Sequence, residues 1–269
     1  MLLLIFFLLG LIAALIICLC AGYTGLALVG LLLLFTLLCT VGVVLLYIIF
    51  LLILGFFTDR SKKEHTADSK LHRFLLVNTV RILPVLFRIR IHAENLELVP
   101  QETFFFAGNH RSGFDPILVI CALPKRIINF VTKPSIFKIP LIPPYLRRCG
   151  FLSINREDDR EALRTILAVS QCLKEGRASF GIYPEGTRSR SAEMLPFRNG
   201  CFKAAQRAKV PVLVGSVQGS DQIFKNFPWR STDVTLRFCG VIPAEEAAAL
   251  KTNELGDRVR AMLEESLSK

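Results

Sequence analysis

The pattern of apolar and polar positions divides this chain into a leader without a single charge and a remainder in which charged and apolar stretches alternate. Residues 1–57 contain no Asp, Glu, Lys or Arg, and the first charged residue is Asp59. Met1–Ala21 is one unbroken apolar run, Gly22-Tyr23-Thr24-Gly25 reads as a turn, and Leu26–Phe57 is a second run. About 20 apolar residues cross a bilayer core as a helix, so either run is long enough, and the second has surplus length for tilt. The expected arrangement is a membrane-embedded helical hairpin over 1–57; the alternative is one span beside a buried helix. A secretory signal does not fit, because no basic segment precedes the apolar run and no cleavage site leads into a polar chain.

A charged linker follows, and then Leu71–Phe87, where Phe74, Leu75, Val80 and Leu83 alternate with Arg73, Arg81 and Arg88 around it. This segment reads either as a helix lying on a membrane surface or as a core-facing amphipathic helix broken near Pro84. Together, 58–84 form a juxtamembrane region, and 85–269 form one domain. Within it, strands are expected at Arg88–His92, Thr103–Ala107, Ile127–Thr132, Phe151–Ile154, Ala178–Tyr183, Val210–Val217 and Asp233–Phe238. Helices are expected at Pro116–Ala122, Glu157–Glu175, Gly200–Ala208, Ala244–Leu250 and Glu254–Ser268. Strands alternating with helices predict an α/β fold with a mostly parallel central sheet flanked by helices.

Charge sharpens this picture. The formal net charge of +11 lies entirely beyond the leader, and a basic domain beside an apolar anchor fits an anionic lipid surface best. Nucleic acid fits less well, since zinc-ligand spacing, a recognition-helix pattern and an RNP-like aromatic strand are all missing from the sequence. Arg60, Lys62, Lys63, Lys70 and Arg73 flank the second apolar run, and the turn at Gly22–Gly25 has no charge. The positive-inside rule then puts 85–269 on the cytoplasmic face. The eight cysteines show no C-x-x-C pair and no matched histidines, so they read as small buried hydrophobes rather than a disulfide or metal framework.

The candidate chemistry sits in two short segments. In His110-Arg111-Ser112-Gly113-Phe114-Asp115, Gly108-Asn109 turns the chain out of a strand, which puts His110 at the strand's C-terminal edge. Asp115-Pro116 looks like a helix start, with Asp as N-cap and Pro as first helical residue. Asp115 therefore has two readings: it caps the helix, or it accepts from one ring nitrogen of His110 and leaves the other to act as a general base. The second segment, Pro184-Glu185-Gly186-Thr187-Arg188, is a turn with an arginine and reads as an anion site. Gly186 lets backbone approach a ligand, while Arg156 and Arg188 each offer a bidentate fork to a phosphate. Glu185 either positions a hydroxyl or structures the turn by bonding an arginine. A G-x-S-x-G elbow is missing from the sequence, which lowers a serine-hydrolase reading, although Ser112 lies near His110.

Four blocks in order carry a family resemblance. Asn109–Asp115 resembles the H-x4-D box of the glycerolipid acyltransferases, Gly150–Arg156 their second box, Tyr183–Ser189 their F-P-E-G-T-R-S box, and Val210–Val214 their fourth, Pro-containing strand. The resemblance covers about residues 85–240 and points to the 1-acyl-glycerol-3-phosphate (lysophosphatidate) acyltransferases and their close relatives. Ser153, Tyr183 and Val214 depart from the usual pattern, which bears on the acceptor and the acyl chain more than on the reaction type.

The resemblance implies transfer of a fatty acyl group from a thioester, acyl-CoA or acyl carrier protein, to the sn-2 hydroxyl of lysophosphatidate. The product is phosphatidate. Acylation of glycerol 3-phosphate or another lysolipid is the neighbouring reading, and a silent lipid-binding protein a third. His110 and Asp115 would be the catalytic pair. Arg156, Glu185, Gly186, Thr187 and Arg188 would hold the acceptor and its phosphate. Lys133 resembles a site lysine that contacts the oxyanion or the donor, though a solvated lysine at a strand end fits equally well. No metal or cofactor is called for.

Overall fold

The structure, a computed structural model, describes residues 2–59, 69–191 and 193–269. Arg60, Lys62 and Lys63, part of the basic flank, lie outside the described residues. Eleven helices among the described residues are α1 (Leu2–Cys20), α2 (Gly25–Asp59), α3 (Lys70–Val80), α4 (Ile82–Leu86), α5 (Asp115–Ala122), α6 (Ile142–Arg148), α7 (Asp159–Lys174), α8 (Lys203–Ala208), α9 (Ile223–Asn226), α10 (Ala244–Ala249) and α11 (Thr252–Leu267). The strands are β1 (Ile89–Glu94), β2 (Phe105–Gly108), β3 (Ile128–Thr132), β4 (Leu152–Ser153), β5 (Ser179–Ile182), β6 (Val212–Gln218) and β7 (Thr232–Ile242). Two compact units result: one holds α1, α2 and Pro140–Tyr145, the other the rest of the described chain.

In the first unit, α1 and α2 form the expected antiparallel hairpin. Phe6, Gly10, Ala14 and Cys18 recur every fourth residue on one face of α1 and are buried. A Cβ on Gly10 would lie 2.2 Å from the Thr40 hydroxyl, so glycine is what lets the backbones approach. The Thr40 hydroxyl donates to the Thr36 carbonyl at 2.7 Å, which satisfies a polar group in an apolar helix. Phe6 packs on Tyr47 with ring centroids 5.1 Å apart. The turn closes on Gly22 and Gly25, both at positive φ, with N–H groups of Gly22 and Tyr23 donating back into the last turn of α1. Leu2–Cys20 and Leu28–Thr58 are long and apolar enough to cross a membrane.

Pro140–Tyr145 belongs with these helices, an attachment that the sequence pattern gives no sign of. The Tyr145 hydroxyl donates to the Leu51 carbonyl at 2.7 Å. The stretch containing it is rich in proline, yet α6 forms. Pro143 and Pro144 sit in its first turn, where no backbone N–H is needed for the helix.

In the second unit, seven strands form one sheet in the order β1-β7-β6-β2-β5-β3-β4. Every neighbouring pair is parallel except β6 and β7. The mixed character thus comes from one reversal, and β7 runs four residues past the expected end at Phe238. Central strands β2 and β5 are buried along their whole length, as strands covered on both faces must be. Helices α7, α8 and α11 cover one face with Val169, Leu173, Ala204, Ala205, Leu255 and Val259. Gly181 and Gly215 are notches filled by rings: a Cβ there would meet Phe130 at 2.2 Å and Phe106 at 2.7 Å. The helix expected over Gly200–Ala208 is a 3-10 turn at Asn199–Phe202 followed by α8.

Candidate active site

The H-x4-D loop begins where β2 leaves the sheet. Gly108 faces Gly215 across the β2–β6 ladder, and a Cβ there would lie 2.6 Å from the Gly215 carbonyl oxygen. Asn109 then replaces the ladder with its side chain. Its Nδ2 donates to the Val217 carbonyl at 2.9 Å, and its Oδ1 accepts from Val217 N–H at 2.7 Å. A primary amide has one donor face and one acceptor face, so it can imitate a peptide where the backbone has turned away. The exit point of His110 is therefore fixed by a buried side chain that composition and spacing do not single out.

The next peptide is held from the opposite side. His110 N–H donates to Glu185 Oε1 at 2.7 Å, and the His110 carbonyl accepts from Ser189 N–H at 2.8 Å. The Glu185–Ser189 turn and the His110 loop, 75 positions apart at Glu185, are thus stitched together through backbone atoms. Glu185 Oε2 accepts from Leu195 N–H at 2.9 Å, and the residue is 4% exposed. Both carboxylate oxygens are engaged with backbone N–H groups rather than with an arginine.

Asp115 is fully buried. Its Oδ2 accepts from His110 Nδ1, Arg111 N–H and Ser112 N–H, each at 2.8 Å. The expected N-cap role is corrected: Asp115 is the first residue of α5 and Phe114 occupies the cap position. From there the carboxylate turns back onto N–H groups that precede the helix, and those donors aim it at the imidazole. Pro116 follows in the first turn, as expected. The Ser112 hydroxyl accepts from Phe114 N–H at 3.3 Å, so it serves the loop.

The imidazole is stacked on one face as well as bonded. The Tyr183 ring stacks on it with centroids 4.4 Å apart and planes within 12°, and Phe130 stacks on Tyr183 at 5.7 Å. Burial, and secondarily the Asp115 charge, pushes the Tyr183 phenol well above its ordinary pKa, so it stays neutral. With Nδ1–H given to Asp115, the remaining ring nitrogen, Nε2, is the acceptor. The His110 side chain keeps 16% exposure while Asp115 keeps none.

The cationic part of the site is built around Gly186. Its φ is +72°, a conformation that favours glycine. A Cβ there would meet Arg198 Cδ at 3.1 Å and Arg156 Cδ at 3.8 Å. Arg198 Nη1 donates to the Arg156 carbonyl at 3.0 Å. Burial first, and the neighbouring Arg198 charge second, make the Arg156 guanidinium less basic than usual. Among the described residues, neither arginine is paired with a carboxylate. Two guanidiniums held side by side are chemically able to bind an anion between them.

Arg198 is a residue that sequence reasoning missed. It lies outside the four blocks, and only the fold returns it to Gly186, through its N–H bond to the Pro184 carbonyl at 2.8 Å. Thr187 and Arg188 are exposed at the head of the turn. Lys133 is exposed just past β3, where it precedes a 3-10 turn; no hydrogen bond or ion pair joins it to His110. Among the described residues, no cluster of side chains could hold a metal ion.

Comparisons with known proteins agree with this architecture. A family model described as Acyltransferase matches residues 90–216. The 1-acyl-sn-glycerol-3-phosphate acyltransferase of Salmonella typhimurium is 28% identical over 61% of this chain and 66% of its own length. The human 1-acyl-sn-glycerol-3-phosphate acyltransferase alpha is 26% identical over 80% of this chain and 75% of its own. The crystal structure of the 1-acyl-sn-glycerophosphate acyltransferase of Thermotoga maritima superposes with a TM-score of 0.61 at 23% identity, over 83% of this chain and 88% of that one. The fold is that of this solved structure, and residues 90–216 match the acyltransferase family model. More narrowly, the relatives it resembles are 1-acyl-sn-glycerol-3-phosphate acyltransferases.

Proposed function

We propose that this protein transfers a fatty acyl group from a thioester to the sn-2 hydroxyl of 1-acyl-glycerol 3-phosphate at a membrane, with its catalytic unit on the cytoplasmic face. The observation that carries the reading is the 2.8 Å bond from His110 Nδ1 to a fully buried Asp115, beside the two arginines at Gly186. An alcohol is a poor nucleophile at neutral pH, so its proton must leave as the oxygen attacks. Nε2 of His110 takes that proton while the oxygen bonds to the thioester carbonyl carbon. Asp115 stabilises the imidazolium that forms. The tetrahedral intermediate collapses, the carbon–sulfur bond breaks, and the imidazolium returns its proton to the departing thiolate.

Arg156, Arg188 and Arg198 hold the acceptor phosphate, and the Gly186 turn lets it approach backbone. Glu185 acts on the reaction by holding the His110 peptide. Lys133 stands at the mouth of β3 as a contact for the donor. Acyl-CoA and acyl carrier protein both satisfy the chemistry, which needs only a thioester. The basic flank from Arg60 to Arg73 supports the cytoplasmic placement.

The test is a purified enzyme supplied with an acyl thioester and a panel of acceptors. Phosphatidate should form from lysophosphatidate and should fall by about 10²–10⁴-fold or more in His110→Ala. Product from glycerol 3-phosphate alone, or undiminished product in His110→Ala, would refute the reading.

A further inference from the structure

The second unit carries an exposed aromatic patch at the start of β1 and β7 that the reaction chemistry does not use. Phe87 packs against Phe114, Phe224 and Phe227 with ring centroids 4.8, 5.8 and 4.7 Å away, and Phe114 meets Phe224 at 5.4 Å. The cluster is pinned to the sheet rather than loose. Arg88 Nη1 donates to the Pro228 and Trp229 carbonyls, and Thr232 N–H donates to the Arg88 carbonyl at 3.0 Å.

Around this frame the apolar surface faces outward. Phe224 is 64% exposed, Trp229 85%, Val85 63% and Leu86 57%. A soluble face does not leave four such side chains in one neighbourhood without a partner. The charges among them are all positive: Arg88, Lys225 and Arg230 are exposed. The nearest carboxylates are already engaged, Asp221 with Arg111 and Asp233 with His92 and Arg90.

We propose that this patch is a second lipid-contacting surface, distinct from the apolar leader, which seats the catalytic unit on an anionic bilayer. An exposed indole, phenyl rings and aliphatic tips ringed by Arg and Lys match the interfacial zone, where aromatic rings lie at headgroup level and cations meet lipid phosphates. A protein partner would need acidic groups facing the same cations, whereas a bilayer supplies phosphate and apolar depth together. Phe114 joins the patch to the His110 loop, four residues from the imidazole. The same surface therefore delivers a lipid acceptor from the membrane to the site, an extension that rests on the proposed acyl transfer.

Trp229 is the sole tryptophan of the chain, so its fluorescence reports this patch alone. The full-length protein is reconstituted into phosphatidylcholine vesicles, with and without phosphatidylglycerol, carrying acyl chains brominated near the headgroup. The expected result is blue-shifted emission quenched by the brominated lipid, more strongly with phosphatidylglycerol. A solvent-like, unquenched emission in both vesicles overturns the proposal, since the leader alone would then hold the protein there. Phe224→Ser, which leaves the indole in place, should lessen the quenching and lower turnover of vesicle-borne lysophosphatidate several-fold, with turnover of a short-chain soluble analogue unchanged. An equal loss on both substrates overturns the delivery role. Absence of turnover in the parent protein counts against the acyl-transfer reading and leaves the fluorescence result to stand by itself.

Discussion

Replacing Glu185 by glutamine isolates the clamp that joins the His110 loop to the Glu185–Ser189 turn without changing side-chain shape. Glu185 Oε1 and Oε2 each accept one backbone N–H, from His110 at 2.7 Å and Leu195 at 2.9 Å, in a place that is 4% exposed. Glutamine has one acceptor oxygen, so its amide N–H₂ must oppose one of these donors. A hydrogen bond to a charged group is worth about 1.5–3 kcal/mol, and a buried donor left unpaired costs about 1–3 kcal/mol. Relief by small shifts is limited because both donors belong to packed loops, so the net loss is about 2–4 kcal/mol. For a unit of this size that corresponds to roughly 4–16 °C in thermal midpoint.

The assay pairs thermal unfolding in detergent with steady-state kinetics. If Glu185 works through the His110 peptide, Glu185→Gln lowers the midpoint and kcat together and leaves the acceptor KM near its original value. An unchanged midpoint with a raised acceptor KM would refute the clamp, because it would place the carboxylate on the substrate instead.

Further expectations are independent of this one. Arg198→Gln should raise the KM for lysophosphatidate by about 10–100-fold, the loss of one charge-assisted phosphate bond, while the KM for the thioester holds; equal effects on both substrates would count against a phosphate role. Burial first, and Arg148 second, depress the His72 pKa below its ordinary 6.5. The unfolded chain therefore binds a proton that the folded chain refuses, and stability falls as pH drops below 6.5 toward the depressed value. In thermal melts across that window, His72→Gln should flatten the dependence, and an unaltered slope would remove His72 as its source. Gly10→Ile should separate α1 from α2, since even a Cβ would lie 2.2 Å from the Thr40 hydroxyl. Cross-linking between cysteines placed at positions 6 and 47, in a background lacking Cys18, Cys20 and Cys39, should then disappear; persistence of the link would show that the hairpin tolerates the bulk.

The elements of the sheet were legible because their signals are local. β2 and β5 announce themselves as short apolar runs, α7 as a helix of period 3.6, and the hairpin as two uncharged stretches around a glycine turn. The His110–Asp115 pair was legible for the same reason, since five residues separate its members. The role of Asp115 was only half visible: spacing indicated a helix start, and the fold turned the carboxylate back onto the loop N–H groups. The helical state of Ile142–Arg148 was hidden by prolines that suit a first helical turn as well as a loop.

Sequence alone determined the α/β class and the uncharged leader, and it carried the candidate His110–Asp115 pair and the family resemblance, because each rests on periodicity, composition or contiguous motifs. Tertiary structure decided what distant segments do to one another: Asn109 imitating a peptide for β6, Glu185 holding the His110 backbone, Tyr183 stacked on the ring, Arg198 beside Arg156, and an aromatic patch assembled from Phe87, Phe114 and Phe224. The physical reason is that a hydrogen bond or ring contact depends on distances of a few ångströms, and for residues tens of positions apart those distances exist only after the sheet has set the register of its strands.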